Sequence, residues 1–157
     1  MSSKRLMNEI KELRKNPNSH YTISYNDNIY EWNFSIFGPE DTLYEYGIFS
    51  GIISFPNEYP NKPPKVKFNT DMFHPNMYSS GVVCISILHE GNDQYGYEDS
   101  SERWSPSHSI NSIMMSIICM LSEPNLGSPA NVSASKMYKD DYESYKKTIY
   151  TLVANSH

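Results

Sequence analysis

The chain has 157 residues, 38% of them hydrophobic and 20% charged, with a formal net charge of −5. That length suits one domain with its own core; the acidic balance offers no basic face to a nucleic acid, and no apolar run reaches the length of a membrane span. Two cysteines, Cys84 and Cys119, make no disulfide framework, so both are expected as free thiols in a reducing compartment, the cytoplasm or the nucleus.

Residues 3 to 15 predict a helix, with Leu6, Ile10 and Leu13 on one stripe and Lys4, Arg5, Glu9, Lys11, Glu12, Arg14 and Lys15 filling the other face. Asn16-Pro17-Asn18 stops it. Tyr21 to Tyr25 predict a first strand. Tyr30, Trp32, Phe34 and Ile36 alternate with polar residues, the period of a strand with one buried face, and residues 47 to 55 alternate again around Phe49, Ile53 and Phe55. Pro56, Pro60, Pro63 and Pro64 make residues 56 to 64 a rigid connector, followed by a short strand from Lys65 to Phe68. Short connections predict an antiparallel meander.

Glu90 to Arg103 is acidic, carries Gly91 and Gly96, and has no apolar period, so it predicts a long polar loop. Residues 109 to 121 predict the clearest helix, through Ile110, Ile113, Met114, Ile117, Ile118 and Leu121, capped by Ser107 or Ser109. Cys119 is expected to be structural within it. Ser128-Pro129 predicts a short helix to about residue 138. Asp140 with Glu143 predicts the start of a last helix that buries Tyr142, Tyr145, Ile149 and Leu152 or Val153. The fold class is α+β: an N-terminal helix, a four-stranded antiparallel meander, a central helix and two C-terminal helices, forming one domain over residues 1–157.

The chemistry centres on His74-Pro75-Asn76 and, eight residues past Asn76, Cys84. Proline fixes one backbone angle and bars its predecessor from the helical region, so His74 to Asn76 form a rigid corner. A thiol beside an amide donor suits acyl transfer. Among Val82, Val83, Ile85 and Ile87, however, Cys84 by its surroundings alone is slightly better explained as a small buried hydrophobe. His74 fits a hydrogen-bonded corner residue better than a base, and Asn76 also suits a turn.

The flanking motifs decide between these readings. They are Gly38-Pro39, Thr42-Leu43-Tyr44, Gly47-Ile48-Phe49, Phe55-Pro56, Tyr59-Pro60, Pro63-Pro64-Lys65-Val66, His74-Pro75-Asn76, Gly81, Cys84-Ile85 and Trp104-Ser105-Pro106. In this order the chain resembles ubiquitin-conjugating enzymes from about residue 4 to its end. Cys84 to His89, with Tyr95-Gly96-Tyr97-Glu98, resembles the G-type branch, which carries an acidic insertion after the cysteine.

The resemblance implies that Cys84 accepts ubiquitin as a thioester from an activating enzyme and passes it to substrate lysines with a ligase bound. Asn76 is then an oxyanion donor or loop support, His74 a structural corner, His89 a candidate gate and Asp93 a candidate acid near the thioester. It places partner contacts at Lys4 and Arg5, at Asn61 and at Ser105, Pro106 and Ser107. No cofactor or metal is implied, since ATP is used by the activating enzyme. The chain departs from the family's pattern at Ser128, where an acidic residue is usual, and at Asn61, where relatives serving several ligase types carry an aromatic residue. The second departure favours RING-type over HECT-type ligases. Four alternatives stand beside this reading: a conjugating enzyme for another ubiquitin-like modifier, a ubiquitin-binding variant without catalysis, a cysteine hydrolase using His74 or His89, and a metal site from Cys84, His74 and His89.

Overall fold

The computed structural model describes residues 2–91 and 103–157. The first helix, α1, runs Ser2–Lys15 and buries Leu6 and Ile10. Strands β1 (Tyr21–Ser24), β2 (Glu31–Phe37), β3 (Ile48–Ser54) and β4 (Lys65–Phe68) form one sheet in the order β1-β2-β3-β4, each pair antiparallel. Period-two alternation gives the sheet its two faces. Trp32, Phe34 and Ile36 of β2 point into the core, while Glu31, Asn33 and Phe37 stay exposed. On the outer face, the hydroxyls of Ser35 and Ser50 meet at 2.8 Å, consistent with their cross-strand pairing.

The inner face packs with α1 and α2 (Ile110–Ser122) in one core cluster. Each fully buried aliphatic side chain there stabilises the fold by about 1.5–3 kcal/mol. Ser109 caps α2: its Oγ accepts from the Ser112 amide at 3.2 Å, and Ser112 Oγ accepts from the Ser109 amide at 3.4 Å. The helix buries seven residues from Ile110 to Leu121. Cys119 is exposed, contrary to its expected structural role, because it shares the solvent side of α2 with Ser122 and Glu123.

Two helix starts differ from expectation. The short helix α3 runs Val132–Asp140, capped by Asn131, whose Oδ1 accepts from the Ala134 amide at 3.0 Å. It does not begin at Ser128-Pro129, because the amides of Ala130 and Asn131 both donate to the Pro75 carbonyl, at 2.8 and 3.1 Å. That tether holds the segment out of helical geometry until Val132. The last helix α4, Tyr142–Asn155, is capped by Asp141 rather than Asp140. Asp141 accepts from the amide and hydroxyl of Ser144, while its own amide closes α3 on Met137. Helix α4 buries Tyr145 and Ile149. Tyr142, expected inside, is 41% exposed, and Leu152 and Val153 are only partly covered.

Beyond β4 the chain returns on itself through Tyr78 and Gly81. The Gly81 amide donates to the Tyr78 carbonyl at 2.9 Å, and the Tyr78 amide to Val82 at 2.9 Å. Gly81 has φ +96°, and a Cβ there would lie 2.3 Å from the Phe68 carbonyl oxygen. That oxygen belongs to β4, so the turn cannot retreat without unpicking the sheet edge. Gly81→Ala is expected to lower unfolding stability by about 2 kcal/mol. The check is a denaturant titration, in which the midpoint falls while the slope is kept.

Candidate active site

The site starts from His74, which is fully buried. Its Nδ1 accepts from the Asn76 amide at 2.9 Å. The proton therefore sits on Nε2, which donates to the Met120 carbonyl at 2.7 Å, near the end of α2. Burial holds the ring's pKa down to about 4, against a smaller opposing effect of the Met120 carbonyl. The ring is neutral at physiological pH and both nitrogens are used, so His74 has no lone pair to offer as a base.

Asn76 is also buried. Its Nδ2 donates to the Asn125 carbonyl at 2.8 Å, and its Oδ1 accepts from the Asn125 amide at 2.8 Å. Asn125 Oδ1 in turn accepts from the Gly127 amide. Together with the Pro75 carbonyl, this pair fastens residues 125 to 131 to the corner from two sides.

The Asn76 carbonyl accepts from the Cys84 amide at 2.9 Å. Met77 and Val83 form the adjoining bridge, with both side chains buried. The Val83 amide also donates to the Val66 carbonyl of β4 at 2.9 Å. Cys84 is thus held beside Asn76 by main-chain bonds, half-buried and free.

A polar side chain meets its sulfur. His89 Nε2 lies 3.5 Å from Cys84 Sγ, placed by the short 3-10 turn Ser86–Leu88. Exposed Tyr78 stands on the same side, and Cys84 raises its phenol's pKa. The sequence reading did not place Tyr78 near the thiol. Its signal was period two: Asn76 and Tyr78 flank the inward Met77, so they share the side of the ladder that carries Cys84.

Where the acidic segment leaves and rejoins the fold, it is tied. The Trp104 amide donates to the His89 carbonyl at 2.8 Å, and Arg103 Nη2 to the Glu90 carbonyl at 3.3 Å. Asp93 lies outside the described residues.

With this geometry in view, the sequence matches the ubiquitin-conjugating enzyme family over residues 5–153. The chain belongs to the ubiquitin-conjugating enzymes. It is 50% identical to human ubiquitin-conjugating enzyme E2 G2, over 98% of this chain and 94% of that protein. It is 48% identical to ubiquitin-conjugating enzyme E2 15 of Schizosaccharomyces pombe, over 99% and 95%. To ubiquitin-conjugating enzyme E2 7 of Arabidopsis thaliana it is 51% identical, over 96% and 93%. The G-type resemblance and the α+β fold agree with these matches.

The residues expected to meet this conjugating enzyme's partners divide in two. Lys4, Asn61, Pro106 and Ser107 are exposed and Ser105 is half-buried. Arg5 instead turns inward, with Nη1 donating to the Pro106 carbonyl at 3.0 Å and Nη2 to the His108 carbonyl at 2.7 Å. Family membership brings ubiquitin, an activating enzyme and a ligase as partners. No helix among the described residues is long and apolar enough to cross a membrane.

The buried neutral imidazole makes stability depend on pH in one direction. An unfolded His74 takes up its proton near pH 6.5, whereas the folded ring does so only near pH 4. The unfolded chain therefore binds more protons in this window, and stability is lost as pH falls from about 6.5 towards about 4, by about 2 kcal/mol at pH 5. Unfolding titrations at pH 7.5 and pH 5, on the wild type and on His74→Gln, should show a fall in the wild type larger by that amount. Equal falls would remove His74 as the cause.

Proposed function

We propose that Cys84 is the thioester acceptor, and that the chain works as a single catalytic domain discharging ubiquitin to lysine under a RING-type ligase. The observation that carries this reading is the half-exposed Cys84 thiol, hung by its own amide from the Asn76 carbonyl within the stretch that matches the conjugating family. In loading, the Cys84 thiolate attacks the carbonyl carbon of the ubiquitin thioester on the activating enzyme, whose thiolate leaves. In discharge, a lysine amine attacks the new thioester, the Cys84 thiolate leaves, and an amide bond remains.

The attacking lysine, with an ordinary pKa near 10.4, must first lose a proton. Ser128 is exposed and carries no carboxylate, so the acid is assigned to the segment after His89, with Asp93 as the choice by resemblance to the G-type branch. His89, 3.5 Å from the sulfur, fits a gate over the thiol. Asn76 fits loop support, since both ends of its amide are engaged by the Asn125 main chain. Exposed Asn61 favours a RING-type partner. The cytoplasm or nucleus, with its reducing poise, is the proposed location.

Mixing the protein with activating enzyme, ATP and ubiquitin, and running gels with and without reductant, tests the acceptor. Cys84→Ala should abolish the reductant-sensitive adduct, whereas Cys119→Ala should leave it intact; the reverse pattern would sink the assignment. Release of ubiquitin from an ester without ATP would favour a hydrolase instead.

Asn76→Ala should load nearly normally and discharge onto free lysine about tenfold more slowly or worse. It should also lose about 1–3 kcal/mol of stability, because the Asn125 amide and carbonyl lose their partners. Slow discharge with unchanged stability would assign Asn76 to the oxyanion alone. Asp93→Asn should slow ligase-stimulated chain formation and leave loading intact, as read on the same gels; unchanged chain formation would release Asp93 from this role.

A further inference from the structure

Glu9 and Arg5 of α1 sit where three separate segments converge. Glu9 Oε1 accepts from the amide of Ile110, the first residue of α2, at 2.9 Å. Glu9 Oε2 accepts from Arg5 Nε at 3.1 Å and from the Tyr59 hydroxyl of the 56–64 connector. Burial, with the Glu9 carboxylate beside it, pushes the Tyr59 hydroxyl's pKa up, so Tyr59 stays a donor.

The Arg5 guanidinium lies 5.6 Å from the centre of the Tyr59 ring. It reaches past that ring to the carbonyls of Pro106 and His108. Trp104 closes the arrangement, its Nε1 donating to the Pro60 carbonyl at 2.8 Å. The side chains of Arg5 and Glu9 are 29% and 11% exposed, so most of this network is covered.

We propose that Arg5 and Glu9 are positioning residues for the partner face: their hydrogen bonds lock α1, the 56–64 connector and the 105–109 turn into the one arrangement that a ligase surface meets. This rests on the reading of Cys84 and its ligase given above. It replaces a direct role for the Arg5 charge, because Nε, Nη1 and Nη2 all donate within the chain. The two carbonyl acceptors are neutral and two residues apart, so what they require is the planar fork of a guanidinium. A lysine ammonium keeps the charge but is a single point on a flexible stem and cannot reproduce that fork. A partner that read only charge would accept the lysine.

The experiment follows from that difference. Wild type, Arg5→Lys, Arg5→Ala and Glu9→Gln are loaded with ubiquitin, and discharge onto free lysine is followed while a RING-type ligase is titrated. Arg5→Lys and Arg5→Ala are both expected to raise the ligase concentration for half-maximal discharge by roughly fivefold or more, with the maximal rate kept. Glu9→Gln should shift it in the same direction, because its amide group brings a donor to a point where three donors already converge. If Arg5→Lys matches wild type while Arg5→Ala does not, the charge itself meets the partner and the proposal falls. It falls equally if no variant moves the half-maximal concentration. A maximal rate that drops in step with the melting midpoint, at unchanged half-maximal concentration, would leave the network a fold support only. A wild-type chain that forms no reductant-sensitive adduct fails before ligase is added, and sinks the Cys84 reading itself.

Discussion

A neutral imidazole that bonds in two directions holds the reactive half of this molecule together. His74 accepts from the Asn76 amide and donates to the Met120 carbonyl. It thereby joins the corner before the thiol to the end of the central helix. From that corner the other restraints hang in series: the Asn76 amide on Asn125, the Pro75 carbonyl on residues 130 and 131, and the Cys84 amide on the Asn76 carbonyl. A charged ring would lose the Nδ1 acceptor and place an unpaired cation in the core, which buried sites tolerate poorly. Holding the ring uncharged is therefore part of holding the thiol in place.

The sulfur itself is treated differently. Its main chain is held to Asn76, yet its side chain is half-buried and meets His89, which is exposed. A thiol in the carrier role proposed for Cys84 needs this combination. It must present one geometry to two successive acyl partners, and it must leave room for the incoming groups. The rigid elements are main-chain hydrogen bonds, which no side-chain motion can release.

Much of the architecture was legible because it is written in local periodicity. The period-two runs around Trp32 and Ile53 predicted β2 and β3, and the apolar stripes of Leu6 and Ile113 predicted α1 and α2. What escaped depends on distant partners. Ser128-Pro129 carries the local chemistry of a helix start, but the Pro75 carbonyl, remote in sequence, overrides it. Arg5 was expected at a partner contact, and its bonds inward gave no local signal, since its acceptors lie 101 and 103 residues away. Cys119 was misjudged for another reason. The helical period that places Ile117, Ile118 and Leu121 inside also leaves position 119 on the outer side, so its exposure was available in the pattern. Cys84, His74 and Asn76 were singled out through motif spacing, whereas the place of Tyr78 near them required knowing that the chain doubles back at Gly81.

The paired ties at His89–Trp104 and Glu90–Arg103 also bear on how such a fold changes over generations. Two neighbouring hydrogen bonds close the neck where the acidic segment leaves and rejoins the described fold. Closing a loop costs free energy that grows only with the logarithm of its length, about 0.6 kcal/mol for each doubling. Loop closure alone therefore sets little penalty on residues gained or lost beyond the neck. The position beside the thiol can thus accept a change of length at little cost in loop closure.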